Sequence, residues 1–495
     1  MNQDLLKSDS VKKNYLFQFL YQVVTLVLPL VVSPYLTRIL GGTALGTYTY
    51  TFSVAYYFVM FAMLGINQHG QRVISQRRND LSKLRLTFWS LCFVHFLASI
   101  VSIIAYVCYT LFLFKSDQTV VWIQTIYVAS SIFDFTWLFY GLEKFKIVTI
   151  RNMIIKLINA FCIFMFVKSR NDINTYTLIM TATSCAGHIV MIPQVISSIP
   201  PIRFKWNDIR EHFRPLFTLF AAALAASLYT IFDKTLLGIL ATKKDVAFYE
   251  YSDKIINIPK TFISICGTVM FPTACRFAAN HDFLGLNRVL RKAITIAFCI
   301  GFGSCFGLLA IADQFAVLYY GDEFSVCGGI IQMMSPLILI VGIGDALRAI
   351  YIYPLKMDIQ IVKILFINAG INLLLSSVLI PILGVEGAII GTFSAEVFGF
   401  TAEFCLVRKY VQISQAVKTC LAFTIIGLIM FAFVKFIGTH LTMSWISMLI
   451  QIIAGALIYG ACAVVYFYFF DKDTFENVRR LLTSLLVKLH IKRDK

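Results

Sequence analysis

Charge is what this sequence has least of. Only 14% of its 495 residues are Asp, Glu, Lys or Arg, against 59% that are hydrophobic, and the mean hydropathy is +0.78. No soluble domain of this size hides so much apolar surface, so the chain reads as an integral membrane protein. The signatures of several chemistries are missing too. The twelve cysteines stand singly, almost all in apolar segments, with no Cys-x-x-Cys. They read as small core residues and not as a disulfide or metal framework. The seven histidines show no His-Glu-x-x-His or paired ligand spacing, so no metal site is expected. No Gly-rich loop ends in Gly-Lys-Ser/Thr. ATP is therefore not the direct energy source, and no cofactor is called for. The N-terminus lacks a cleavable signal: thirteen mostly polar residues lead into a span too long for a signal-peptide core.

What the sequence does have is long apolar runs. Fourteen reach helix length, at 15–40, 44–67, 86–114, 119–141, 147–168, 174–198, 214–240, 245–273, 291–319, 325–353, 360–383, 385–408, 416–437 and 444–470. Lys and Arg test the count. With the N-terminus inside, 31 of the 43 fall in cytoplasmic segments and 5 in outside loops. That asymmetry puts both termini in the cytoplasm and makes topology the reason for the net charge of +17, with no nucleic-acid partner implied. The outside loops are short and leave no room for a catalytic domain, so an enzyme is not expected. The longer inside loops, 68–85 and 274–292, are basic and read either as interfacial helices on anionic membrane lipid or as plain topology signals. Each follows the second helix of a half. Gly46-Thr47-Tyr48-Thr49-Tyr50 opens the second helix and Ala247-Phe248-Tyr249-Glu250-Tyr251 the eighth. A repeat follows: a six-helix bundle over 1–198, a cytoplasmic linker 199–214, a second bundle over 215–408, helices 13 and 14 over 409–470, and a cytoplasmic tail 471–495. Repeat halves place a transport site at their interface.

About fourteen ionisable side chains fall inside the spans. At ~3 kcal/mol each, leaving them in hydrocarbon costs about 40 kcal/mol, so they must pair, snorkel or line water. Arg38 sits in a first helix with two prolines, Pro29 and Pro34. It joins Lys156, Lys234, Lys254 and Arg348 as the cations expected to face an anionic, phosphate-bearing cargo. Asp134, Asp233, Asp345 and Glu396 are candidates for ion coupling or for orienting those cations. Asp345 and Arg348 are three apart and can pair; Glu250 and Lys254 are four apart. Asn152, Lys156 and Asn159 share a face of helix 5, Asn368, Asn372 and Ser376 a face of helix 11, and Thr392, Glu396 and Glu403 a face of helix 12. Stripes on several helices imply an aqueous chamber.

Three blocks resemble a known family. They are Pro34-Tyr35-Leu36-Thr37-Arg38-Ile39-Leu40-Gly41 with Gly46-Thr47-Tyr48; Phe133-Asp134-Phe135-Thr136-Trp137 through Gly141, Glu143 and Phe145 to Arg151-Asn152 and Lys156; and Leu383-Gly384-Val385-Glu386-Gly387-Ala388 leading to Thr392 and Glu396. Together they resemble the Wzx-type polysaccharide flippases of the multidrug/oligosaccharidyl-lipid/polysaccharide exporter superfamily. The resemblance implies an all-α membrane fold of fourteen helices, two six-helix bundles in a V plus two C-terminal helices. It implies a bacterial inner-membrane flippase for an undecaprenyl-pyrophosphate-linked oligosaccharide of O-antigen or capsule. Its partners would include that lipid and the polymerase and chain-length proteins of the pathway. The competing readings are an ion-coupled drug antiporter of the same superfamily, which favours an acidic chamber, and a membrane polymerase, which would present a large outer loop.

Overall fold

The computed structural model describes residues 11–112, 117–410, 413–471 and 476. The tail expected over 471–495 lies outside the described residues apart from Asp471 and Glu476, as do Lys7 and Lys115. Every regular element among the described residues is helical. In order they are α1 (Val11–Ile39), α2 (Gly41–Met63), α3 (Ile66–Arg77), α4 (Leu81–Phe112), α5 (Gln118–Ser130), α6 (Thr136–Gly141), α7 (Phe145–Phe166), α8 (Ile173–Ile189) and α9 (Ile192–Ser198). There follow α10 (Trp206–Thr230), α11 (Phe232–Leu240), α12 (Lys243–Ala279), α13 (Phe283–Phe315), α14 (Cys327–Met334), α15 (Leu337–Leu347), α16 (Asp358–Leu383), α17 (Val385–Val407), α18 (Ile413–His440) and α19 (Trp445–Phe470).

Among the described residues, 11 helices are long and apolar enough to cross a membrane, and 12 when α14 and α15, bent by 45°, count as one span. This is a multi-pass membrane protein. The other two expected crossings fall on broken helices. The 119–141 stretch is interrupted between α5 and α6, and the 214–240 stretch at Ile231, between α10 and α11. Fourteen crossings are consistent with this arrangement.

The chain divides into two compact units, Met1–Glu250 with Leu373–Ala388, and Tyr251–Asn372 with Ile389–Lys495. Within the first unit, α10 and α11 pack on the first six spans. Ser53 and Thr235 share a hydrogen bond of 2.9 Å. The rings of His69 and His212, both buried, meet at 3.0 Å, and burial pushes the His212 pKa down. In the second unit, α13 packs on α18 and α19 through Phe302, Phe423, Met430 and Tyr459. The Tyr459 hydroxyl donates to the Cys299 carbonyl at 2.7 Å. Helices 13 and 14 are therefore integral to that unit.

The basic inside loops do not form the interfacial helices that were one reading of them. The α2 helix ends where Leu64 and Gly65 turn left-handed (φ 43° and 77°), and α3 starts afresh. Its apolar residues Ile66, Val73 and Ile74 are buried in protein, while Asn67, Gln68, Arg72, Ser75 and Gln76 are exposed. A helix that spends its apolar face on its own fold has none to lay into lipid. The 274–292 segment holds no separate helix, because α12 runs to Ala279 and α13 starts at Phe283.

Gly70 sits where α3 meets α6. A Cβ there would come within 2.5 Å of Trp137 Cε3, and the Trp137 ring is fully buried. Gly70→Ala is expected to destabilise by ~1–3 kcal/mol through overpacking. Gly329→Ala, exposed on α14 with nothing within 4 Å, is expected to be neutral or slightly stabilising. Thermal unfolding of the detergent-solubilised variants measures both.

Candidate functional site

The site is built on the break in the fourth span. Ser130 and Ser131 turn their hydroxyls back onto the carbonyls of Tyr127 and Val128, at 2.8 and 2.7 Å. Such back-bonding competes with regular helix, and the chain tightens into a 3₁₀ turn over Ser131–Phe133. Asp134 leaves the helix (ψ 91°) and accepts the amide of Thr136, the first residue of α6, at 2.9 Å. Trp137 then locks α6 against α3 and Phe88 of α4, and Glu143 pairs with Arg78 at 2.7 Å.

Behind this break, inside the first unit, lies a cavity of ≈ 290 Å³ walled by α1, α2, α5, α7 and α8. α7 supplies Arg151, Asn152, Lys156 and Asn159. α8 supplies Thr181, Ser184 and His188, and the aromatic side is Tyr21, Tyr48, Phe52 and Tyr127. Phe52 stacks on Tyr48 (centroids 5.8 Å) and leans on Tyr127 (5.1 Å). The Lys156 Nζ lies 5.8 Å from the Tyr21 ring centroid. Arg151 is oriented by the Asn152 Oδ1, at 2.7 Å from Nη2, and by Thr136 at 3.4 Å. His188 meets the Ser130 carbonyl through Nδ1 at 3.0 Å, which turns the other ring nitrogen away from that bond. No carboxylate is among the described residues lining the cavity; Asp134 stands behind it, within electrostatic reach of Arg151 and His188. Two cations, two amides, two hydroxyls and an aromatic wall make a site for a polar anion that also has an apolar ring face.

The sequence-derived residues divide between the units. In the first, Lys156 lines the cavity, whereas Arg38 is exposed and donates to the Pro34 carbonyl of its own turn at 3.2 Å. Lys234 pairs with Glu250 at 2.5 Å, and Asp233 is buried and accepts the Tyr249 hydroxyl at 3.0 Å. In the second unit, Arg348 is held between Asp345, at 2.6 Å, and Glu403. Lys254 lies over the Tyr251 ring at 4.0 Å. Glu396 is buried within electrostatic reach of Glu403. Asn372 of α16 donates to Thr392 of α17 at 3.4 Å, so those two stripes face one another. Lys234 and Arg348 meet protein carboxylates, as a membrane-buried ion that pairs does. Asp134, offered for ion coupling or for orienting the cations, stands within electrostatic reach of Arg151 and His188.

Sequence reasoning placed Arg151 in a motif but not in the site, and it missed His188 and the aromatic wall. The signal for His188 was present: Thr181, Ser184 and His188 share one face of α8 at helical spacing. Nothing in spacing singles out four aromatics from 45 Phe and 23 Tyr.

The profile of the polysaccharide biosynthesis protein family matches residues 11–278. The chain belongs to this family. A family relative from Shigella dysenteriae, named as a candidate O-antigen transporter, is 26% identical over 394 residues, covering 78% of this chain and 97% of the relative. In fold, this polysaccharide biosynthesis protein is similar to the lipid II flippase MurJ in an inward closed conformation. The TM-score is 0.70 at 16% identity, over 91% of this chain and 99% of that one. It is also similar to an inward-facing multidrug resistance MATE transporter of the MOP superfamily, with TM-score 0.56 and 12% identity over 79% and 95% of the two chains. The family expected from the three sequence blocks is the family found, on the expected fold.

Proposed function

We propose that this protein carries an undecaprenyl-pyrophosphate-linked oligosaccharide from the cytoplasmic to the outer leaflet of the bacterial inner membrane by alternating access, for O-antigen or capsule assembly. One observation carries the reading: the first unit's cavity presents Arg151 and Lys156 with no carboxylate among its described lining residues. A diphosphate is an acceptor-rich dianion that such cations can chelate, and a hydroxylated sugar suits the adjoining amides and rings. The relative named for O-antigen transport and the fold shared with MurJ support the same reading. It is a carrier and not an enzyme, with both termini cytoplasmic. Its partners are the lipid-linked sugar and the polymerase that consumes it. The halves 1–198 and 215–408 are its repeat.

A drug antiporter on the same fold would take organic cations, which the charge of this cavity repels. The deciding experiment is a proteoliposome assay with a fluorescent polyprenyl-diphosphate oligosaccharide and, separately, a cationic dye. Movement of the lipid-linked sugar and not of the dye is expected. The reverse would overturn the proposal.

A further inference from the structure

The first turns of α10 carry a face that the protein itself does not cover. Ile209, His212 and Leu216 recur at helical spacing and are buried, where α10 packs on α3 and α4. The rest of the helix surface is sorted by charge. By helical spacing Trp206, Arg210, Phe213, Arg214 and Phe217 fall on one flank, and Asp208 and Glu211 on the other. The acidic flank is spent within the fold. Glu211 pairs with Arg77 of α3 at 3.1 Å, and Asp208 accepts the Lys205 amide at 2.7 Å. The aromatic and basic flank is not. Trp206 is 62% exposed and Phe217 54%, and Arg210 and Arg214 are exposed. Among the described residues neither arginine forms an ion pair. The chain leading into α10 is pinned to α4. The Trp89 Nε1 donates to the Pro200 carbonyl at 3.1 Å, and the Phe93 and Phe204 rings lie 5.7 Å apart. That holds Arg203 and Lys205, both exposed, at the same end of the helix.

We propose that this flank is a binding surface for an anionic phospholipid of the bilayer. Arg203, Arg210 and Arg214 hold its headgroup, and its acyl chains lie along Phe213 and Phe217. The proposed topology puts this end of α10 at the cytoplasmic leaflet, and the inference rests on that topology and not on the cargo. Three arguments support it. First, the charges complement each other: the flank has cations and no carboxylate, and basic side chains at a membrane surface attract anionic headgroups. Second, the depth order is right. Side chains lean toward the N-terminus of their helix, so Arg210 and Arg214 reach back to headgroup level while Phe217 stays in hydrocarbon, and Trp206 suits the interface between them. Third, α3 is basic too, but its apolar residues are buried in protein; α10 offers apolar and basic groups on one uncovered flank. A lipid bound there tethers segment 199–214 to the leaflet.

Native mass spectrometry of the full-length protein in detergent tests the surface, with phosphatidylglycerol or phosphatidylcholine added. The parent is expected to retain phosphatidylglycerol several-fold over phosphatidylcholine. Each arginine contributes about fivefold to attraction by an anionic headgroup. Arg210→Gln with Arg214→Gln should therefore bring the two lipids close to parity, while Arg210→Lys with Arg214→Lys, which keeps the charge, should preserve the preference. Equal retention of both lipids by the parent, or an unchanged preference in the glutamine pair, would overturn the proposal. A photoreactive amino acid at Phe217, in proteoliposomes of both lipids, locates the lipid without altering the arginines. Its adducts should be richer in phosphatidylglycerol than those at Ile453, a lipid-exposed position of α19. Equal enrichment at the two positions counts against the site. Excess polyprenyl-diphosphate oligosaccharide should leave the Phe217 adducts unchanged. Their displacement would assign the surface to the cargo and overturn the phospholipid as its occupant.

Discussion

Lys156→Ala is expected to cut transport of the lipid-linked sugar by about 10- to 100-fold with little change in thermal stability. The size follows from removing one charge-assisted hydrogen bond to an anion, about 1.5–3 kcal/mol. Stability should hold because the Lys156 amine lies beside a ring and a cavity, with no carboxylate to orphan when it goes. Lys156→Arg should retain most activity, since charge and reach survive. Lys156→Glu should abolish it, placing a like charge where the proposed diphosphate would sit. Initial rates in proteoliposomes, alongside unfolding temperatures, measure all three. Unchanged transport by Lys156→Glu would remove the cavity from the pathway. Arg151→Ala is a less clean probe, because Arg151 also holds Asn152 and spans to α8.

Arg348→Ala is expected to have the opposite signature, a large loss of stability. Arg348 lies between Asp345 and Glu403, and the Glu403 side chain is only 1% exposed. Removing the cation leaves two carboxylates facing each other in a poorly solvated place, a penalty of about 3–5 kcal/mol for a broken buried pair. Replacing the whole group, Arg348→Met with Asp345→Asn and Glu403→Leu, removes the orphaned charges and should recover most of that loss. Chemical or thermal unfolding in detergent measures the pair of variants. A single substitution as stable as the parent would mean that the ion group carries no structural weight. The contrast with Lys156 is the point: the same membrane-buried cation is structural when a carboxylate faces it and available to a ligand when none does.

Spacing along one helix revealed Asp345–Arg348, three apart, but not the contacts that Glu250 and Lys254 make beyond their own spacing. Glu250 goes to Lys234 across helices, and Lys254 lies over Tyr251. Likewise Glu403 was legible as part of a polar stripe, yet its partner is 55 residues away. Within-helix geometry is set by the 3.6-residue turn and can be read from spacing. Which helices face one another is set by packing, which single-chain periodicity does not encode. The same limit explains the cavity. The α7 stripe Asn152, Lys156, Asn159 was visible, but its opposing rings come from three other elements.

Two things were decided by the linear order of residues alone. Membrane residence follows from an apolar content that water cannot tolerate, and the family follows from motifs that are short, local and contiguous. Which buried cations pair with protein carboxylates and which line a cavity was decided by folding. A charge in a low-dielectric interior takes its character from whatever stands within a few ångströms, and in this chain those neighbours come from helices far apart in sequence.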